Sequence, residues 1–167
     1  MIKLLHADQV HSGTSLMYAL VLCIFMVTST AYSQILNVGV VGLSHDHAHS
    51  IMNQFKRGEV NILGIAESDE KLVARFKERY QLPEGIFFKT TTEMLSRTKP
   101  QVVLAYNPIV EHLAVVEACA PNGISVMVEK PLATTVKDAE RIAALANSTI
   151  FMCLPITRLL GTPAINR

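Results

Sequence analysis

The chain has almost no excess of either charge. Fifteen Lys and Arg against fourteen Asp and Glu leave a formal net charge of +1. No field therefore exists to gather nucleic acid or an acidic partner, and no nucleic-acid function is expected. Cysteine is scarce as well. Cys23 falls in an amino-terminal apolar run, and Cys119 and Cys153 are too few and too distant to form a disulfide framework. Both read as buried apolar residues. Repeats and low-complexity tracts are absent, as are a Ser/His/Asp nucleophile signature and a Gly-Lys-Ser phosphate loop. The apolar run Leu16 to Val27 has 12 residues, too short to cross a bilayer comfortably.

What is present is a hydrophobic content of 50%, enough for a folded core, on a length of 167 residues that suits one domain. The apolar run follows Lys3 and polar residues and precedes Thr28-Ser-Thr-Ala-Tyr-Ser33. That is the layout of a secretory signal peptide over 1–33, cleaved after Ser33. Leu22 before Cys23 argues against a lipoprotein site, and no twin-arginine pair is present. The expected address is periplasmic or secreted.

Beyond residue 33 the chain alternates strand and helix. Val38, Val40 and Val41 form a β-branched run ending at Gly42, and a helix is expected from about His45 to Lys56. The pattern strand, glycine turn, helix suits a pyrophosphate, because a helix amino terminus offers N–H groups and a positive dipole end. The full dinucleotide fingerprint G-x-G-x-x-G reads here as Gly42, Ser44 and His47. Only the first glycine is kept. Val60 to Ala66 is the next strand, and Glu67 at its end lies 25 positions after Gly42. An acid near that spacing binds ribose hydroxyls; an ordinary loop acid is the plain alternative.

Further elements follow the same rhythm. Ser68 caps a helix to Tyr80, and Ile86 to Phe88 is a short strand. Thr92 to Arg97 is a helix with Met94 and Leu95 inward. Val102 to Tyr106 is a strand, and Val110 to Ala120 is a helix stopped by Pro121-Asn-Gly123. Ser125 to Val128 is a strand, and Thr135 caps a helix to about Ala146. Regular βαβ alternation implies an α/β fold with a doubly wound parallel sheet and right-handed crossovers. Ligands bind such sheets at the carboxyl ends of the strands. That rule singles out Glu129-Lys-Pro131, delivered by the strand Ser125 to Val128. A lysine there, stiffened by Pro131, can lean into the crevice. It also singles out Tyr106-Asn107-Pro108, with Asn107 a hydrogen-bonding group for the nucleotide or, equally, part of a common turn.

Val38-Gly-Val-Val-Gly42, Ile65-Ala-Glu67, Ala105-Tyr-Asn-Pro108 with His112, and Glu129-Lys-Pro131 together resemble the amino-terminal half of the Gfo/Idh/MocA oxidoreductases. This is the family of glucose–fructose oxidoreductase and inositol dehydrogenase, and the resemblance covers roughly 35–146. It implies a Rossmann-like domain over 34–147 that binds NAD, with NADP as the alternative. It implies further that Lys130 lies beside nicotinamide and substrate as the catalytic lysine. Gly42, Ser44, His45, His47, Glu67, Asn107, Pro108, His112 and Glu129 are the expected cofactor-binding set. Ser44 and His47 depart from the glycine pattern, although some members of the family carry a similar Gly-Leu-x-His-x-His turn.

Two clusters carry alternatives. His45 and His49 share a helix face at metal-pair spacing, but no second group of ligands accompanies them in the sequence, so no metal is expected. One or two of His45, His47 and His49 are expected to face the cofactor phosphates or substrate mouth, against a plain polar helix start. His112 matches a family histidine, against packing at the sheet edge.

The tail 148–167 holds one strand, Thr149 to Leu154. It is expected to be truncated or out of frame, because the codons of Pro155 to Asn166 can be chosen so that a one-nucleotide shift restores a family-like strand. The family's substrate domain would then be absent. The function expected is the nucleotide-binding domain of an oxidoreductase acting on a sugar or polyol-like substrate, inactive as this fragment. A non-catalytic nucleotide-binding module is the alternative.

Overall fold

A computed structural model of the chain describes residues 18, 34–148 and 153–155. The chain divides into two units, Met1–Gln34 and Ile35–Arg167, and the sheet with its helices lies in the second. The apolar run assigned to export falls outside the described residues, as do 149–152 and 156–167 of the tail. Among the described residues no helix is long and apolar enough to cross a membrane.

The strands are β1 (Leu36–Val41), β2 (Val60–Ala66), β3 (Phe87–Phe88), β4 (Val102–Ala105), β5 (Ser125–Val128) and β6 (Cys153–Pro155). The helices are α1 (Ala48–Lys56), α2 (Glu70–Tyr80), α3 (Thr91–Arg97), α4 (His112–Cys119) and α5 (Val136–Ser148). All strand pairs are parallel, in the order β3-β2-β1-β4-β5-β6. The order runs outward in both directions from β1, so the chain changes direction between β1 and β4. That reversal opens a crevice beyond the strand ends. The fold is the doubly wound sheet expected from the alternation.

Successive side chains of a strand point to opposite faces, and both faces are covered. Val38, Val40, Ile62, Ile65, Leu104 and Met127 pack with Ile51, Met52, Phe76 and Tyr80 of α1 and α2. On the other face Val103, Ala105, Val126 and Val128 pack with Met94, Val115, Val116, Cys119 and Ile142 of α3, α4 and α5. Each large apolar side chain fully buried this way contributes about 1.5–3 kcal/mol. Met94 fits only because β2 has no side chain at Gly64, where a Cβ would come within 2.7 Å of Met94 Cγ. Burial pushes the Cys119 thiol up to about 12, which makes it an inert core residue.

Several boundaries differ from those read in the sequence. The first helix starts at Ala48, not His45, because residues 45–47 form a turn closed by Ala48 N–H on the His45 carbonyl at 3.0 Å. Ser68 does not cap α2. Asp69 does, its carboxylate accepting from Lys71 N–H at 2.8 Å and Leu72 N–H at 3.4 Å. Val110 begins no α-helix, since Ile109–Glu111 is a 3-10 turn and α4 starts at His112. Thr135 does stand at the start of α5, accepting from Asp138 N–H at 3.1 Å and donating to its carboxylate at 2.8 Å. The expected tail strand is seen as Cys153–Pro155, in register with Val126 to Val128.

Candidate functional site

The site grows from the turn after β1. Gly42 adopts φ +78°, a left-handed conformation that favours glycine. Its N–H donates to the Ala66 carbonyl at 2.9 Å, and the next N–H, of Leu43, donates to Glu67 Oε2 at 2.8 Å. Glu67 Oε1 accepts from Asp69 N–H at 2.9 Å. The acid at the end of β2 therefore braces the glycine turn and the entry to α2 at once. An ionised carboxylate has about four lone-pair sites, so two remain for a ligand.

On the other side the turn leans on the end of β4. Ser44 Oγ donates to the Tyr106 carbonyl at 3.1 Å and His45 N–H donates to the same oxygen at 3.2 Å. Tyr106 N–H in turn donates to the Val41 carbonyl at 2.7 Å. The N–H groups of the turn are thus largely spent inside the protein. An open helix terminus bristling with donors, as the fingerprint would supply, is not what this sequence builds.

Beyond the strand ends lies a cleft of about 490 Å³, lined by Gly42, Ser44, Glu67, Asn107 and Pro108 from the expected set. Its remaining wall was not foreseen. Ser68, Lys89, Thr90, Thr91 and Thr92 supply hydroxyls and one ammonium from the ends of β2 and β3. The strand-end rule applied to Phe88 would have found them. Lys89 Nζ pairs with Glu70 Oε1 at 2.6 Å. Asn107 donates from Nδ2 to Glu111 Oε2 at 3.1 Å, whereas its buried Oδ1 has no partner among the described residues. A buried amide oxygen without a donor costs about 1–3 kcal/mol, which a ligand N–H or O–H would recover. The close glycine turn, the acid at the β2 end and this orphaned oxygen all fit a dinucleotide.

The other expected residues lie elsewhere. His45, His47 and Glu129 gather at the end of β5, outside the lining of the cleft. His47 Nδ1 contacts Glu129 Oε1 closely, and His45 Nδ1 lies 3.8 Å from the same oxygen. Glu129 is only 2% exposed, and its charge adds to burial in holding the neighbouring Tyr106 hydroxyl above its usual value. His112 is fully buried under the loop before α5, its Nδ1 on the Leu132 carbonyl at 3.1 Å. Its Nε2, also buried, has no hydrogen-bond partner among the described residues. Lys130 is exposed and makes no hydrogen bond or ion pair among the described residues. His49 is half-buried and packs on α2. It stacks on Phe76 with centroids 4.6 Å apart and shares a 2.7 Å hydrogen bond with the Tyr80 hydroxyl. Burial, then the charge of Arg79, lowers its pKa.

A protein-family model described as oxidoreductase family, NAD-binding Rossmann fold, matches residues 36–154. No curated protein matches the chain. Among solved structures, myo-inositol 2-dehydrogenase from Lactobacillus plantarum superposes with a TM-score of 0.61 at 17% identity, over 72% of this chain and 36% of that one. The WlbA dehydrogenase from Bordetella pertussis, in complex with NADH and UDP-GlcNAcA, gives 0.62 at 16%, over 72% and 36%. An oxidoreductase from Agrobacterium radiobacter, in complex with NAD+, L-tartaric acid and magnesium, gives 0.63 at 17%, over 72% and 35%. The chain spans little more than a third of the length of these structures.

Proposed function

The chain belongs to the Gfo/Idh/MocA family of oxidoreductases, whose NAD-binding Rossmann domain it carries, and we propose that it serves hydride transfer to or from a sugar or polyol-like substrate. The observation that carries this reading is the cleft at the sheet's reversal, headed by Gly42 and closed by the Glu67 carboxylate. Gly42 lets the main chain approach a pyrophosphate, and the two free lone-pair sites of Glu67 suit a pair of ribose hydroxyls. Inositol and sugar-nucleotide dehydrogenases among the structural relatives support the substrate class.

Nicotinamide, when bound, supplies the hydride chemistry. The chain's own share is orientation and charge. Lys130, two residues beyond the end of β5, is an exposed ammonium not engaged by any described acid, available to polarise a substrate oxygen or pass it a proton. Asn107 Oδ1, buried at the cleft wall and without a partner among the described residues, is suited to accept from a ribose hydroxyl or an amide.

Calorimetric titration with NAD and NADP tests the reading. NAD should bind at least about tenfold more tightly, because the Glu67 carboxylate repels a 2′-phosphate. Preference for NADP would mean that Lys71 or Arg75 reaches the phosphate and that Glu67 serves the fold alone. The apolar run Leu16 to Val27 supports export of the same protein. Amino-terminal sequencing of the expressed product should then find a chain beginning near Gln34; an intact Met1 on a cytoplasmic product would contradict export.

A further inference from the structure

Three ligand-bearing side chains converge outside the lining of the cleft. His45 and His47 come from the turn before α1, and Glu129 comes from the end of β5, 82 positions after His47. One nitrogen of each histidine and one carboxylate oxygen all lie within 4.8 Å of one another. We propose that these residues hold a divalent first-row transition ion in a three-ligand site with an open coordination position. This goes beyond the nucleotide-binding reading and does not depend on it.

The argument begins with charge. Glu129 is 2% exposed, and a carboxylate taken from water needs a positive partner. The His47 ring touches one carboxylate oxygen, but that contact serves only the pair. His45 Nδ1 is left 3.8 Å from the oxygen, occupied only by a 3.2 Å bond from His47 N–H. A metal ion serves all three groups at once. Zinc–ligand bonds of about 2.0–2.2 Å place tetrahedral ligands roughly 3.4 Å apart. The present separations fall on either side of that value. His45 is 44% exposed, so its ring can turn the small amount required.

The donor set selects the ion. Magnesium and calcium take oxygen ligands, whereas two imidazoles and one carboxylate suit zinc or ferrous iron. Sites with three protein ligands are the open kind, which keep a position for water or a substrate oxygen. Here that position lies on the solvent side, since Glu129 is buried and both histidines are partly exposed.

The frame is already rigid. Leu43 N–H is fixed by Glu67, and Ser44 and His45 are fixed by the Tyr106 carbonyl, so the turn presents its histidines without having to fold around the ion.

The test uses the 167-residue chain, stripped with a chelator and titrated with zinc chloride by calorimetry and with cobalt(II) chloride by visible absorption. One equivalent should bind, and a hundredfold excess of magnesium should not displace it. His45→Ala, His47→Ala and Glu129→Gln should each weaken binding by about 100-fold or more, since even residues that only support a ligand cost 10–100-fold. A His6→Gln/His11→Gln variant should bind as the parent does. Circular dichroism checks the fold, and His45→Ala, at an exposed position, carries the test if Glu129→Gln does not fold. Absence of saturable binding, or loss of binding only in the His6/His11 variant, would overturn the proposal.

Discussion

Gly42→Ala is expected to abolish measurable nucleotide binding and to destabilise the domain by about 3 kcal/mol or more, combining left-handed strain with overpacking. An added Cβ would sit 2.5 Å from both the Cα and the N of Asn107. Those are main-chain atoms, so no side-chain rotation relieves the clash. The β1 turn and the end of β4 would have to part. Their separation would loosen the 2.7 Å bond from Tyr106 N–H to the Val41 carbonyl and the Ser44 contact with Tyr106. Gly58→Ala is the matched control. Gly58 has φ +72° but nothing within 4 Å of its Cβ position, so it carries the strain without the clash. Urea denaturation of both variants, with NAD titration of each, separates the two contributions. Equal losses of stability would show that the clash is absorbed and that the close approach of Gly42 to Asn107 is not a constraint.

The sheet was legible because its strands are short β-branched runs bounded by turns, and burial on both faces makes them uniformly apolar. Right-handed crossovers then leave few strand orders to choose from. Helix ends were less legible because they depend on which polar side chain captures a free N–H. Ser68 and Asp69 are both good caps in sequence. Asp69 does the capping, while its own N–H is held by Glu67 Oε1. The start of α1 was misplaced for a similar reason. His45 is drawn out of the helix by its bond to the Tyr106 carbonyl, a contact with a residue 61 positions away.

That displacement also explains what the sequence hid in the site. If the helix began at His45, then His45 and His49 would share a face. Since it begins at Ala48, His49 points at Phe76, and His45 sits beside His47 with ring centroids 4.7 Å apart. The third member of their cluster, Glu129, lies far along the chain, so no local spacing could reveal it. Gly42 and Glu67 were legible because the turn and the strand-end acid fall within one βαβ unit. Lys89 to Thr92 follow a strand of only two residues, too short to draw attention to its end.

Lys130→Met, assayed in a form of the protein that turns over a sugar or polyol-like substrate, should lower turnover by about 100-fold or more. Nucleotide affinity should stay within about twofold, because Lys130 lies outside the lining of the cleft. The argument is positional. Val126 to Val128 are buried in the sheet, and Glu129 is buried after them, so the chain emerges at Lys130 with its direction fixed. Among the described residues no acid pairs with the exposed ammonium, so it carries no charge balance there to lose. Methionine keeps an unbranched side chain only one atom shorter and removes the charge and the proton. A fall in turnover with unchanged nucleotide affinity therefore assigns the lysine to the reacting atoms. Loss of both together would instead make the Glu-Lys-Pro corner part of the nucleotide pocket, and normal turnover would leave it a corner of the fold.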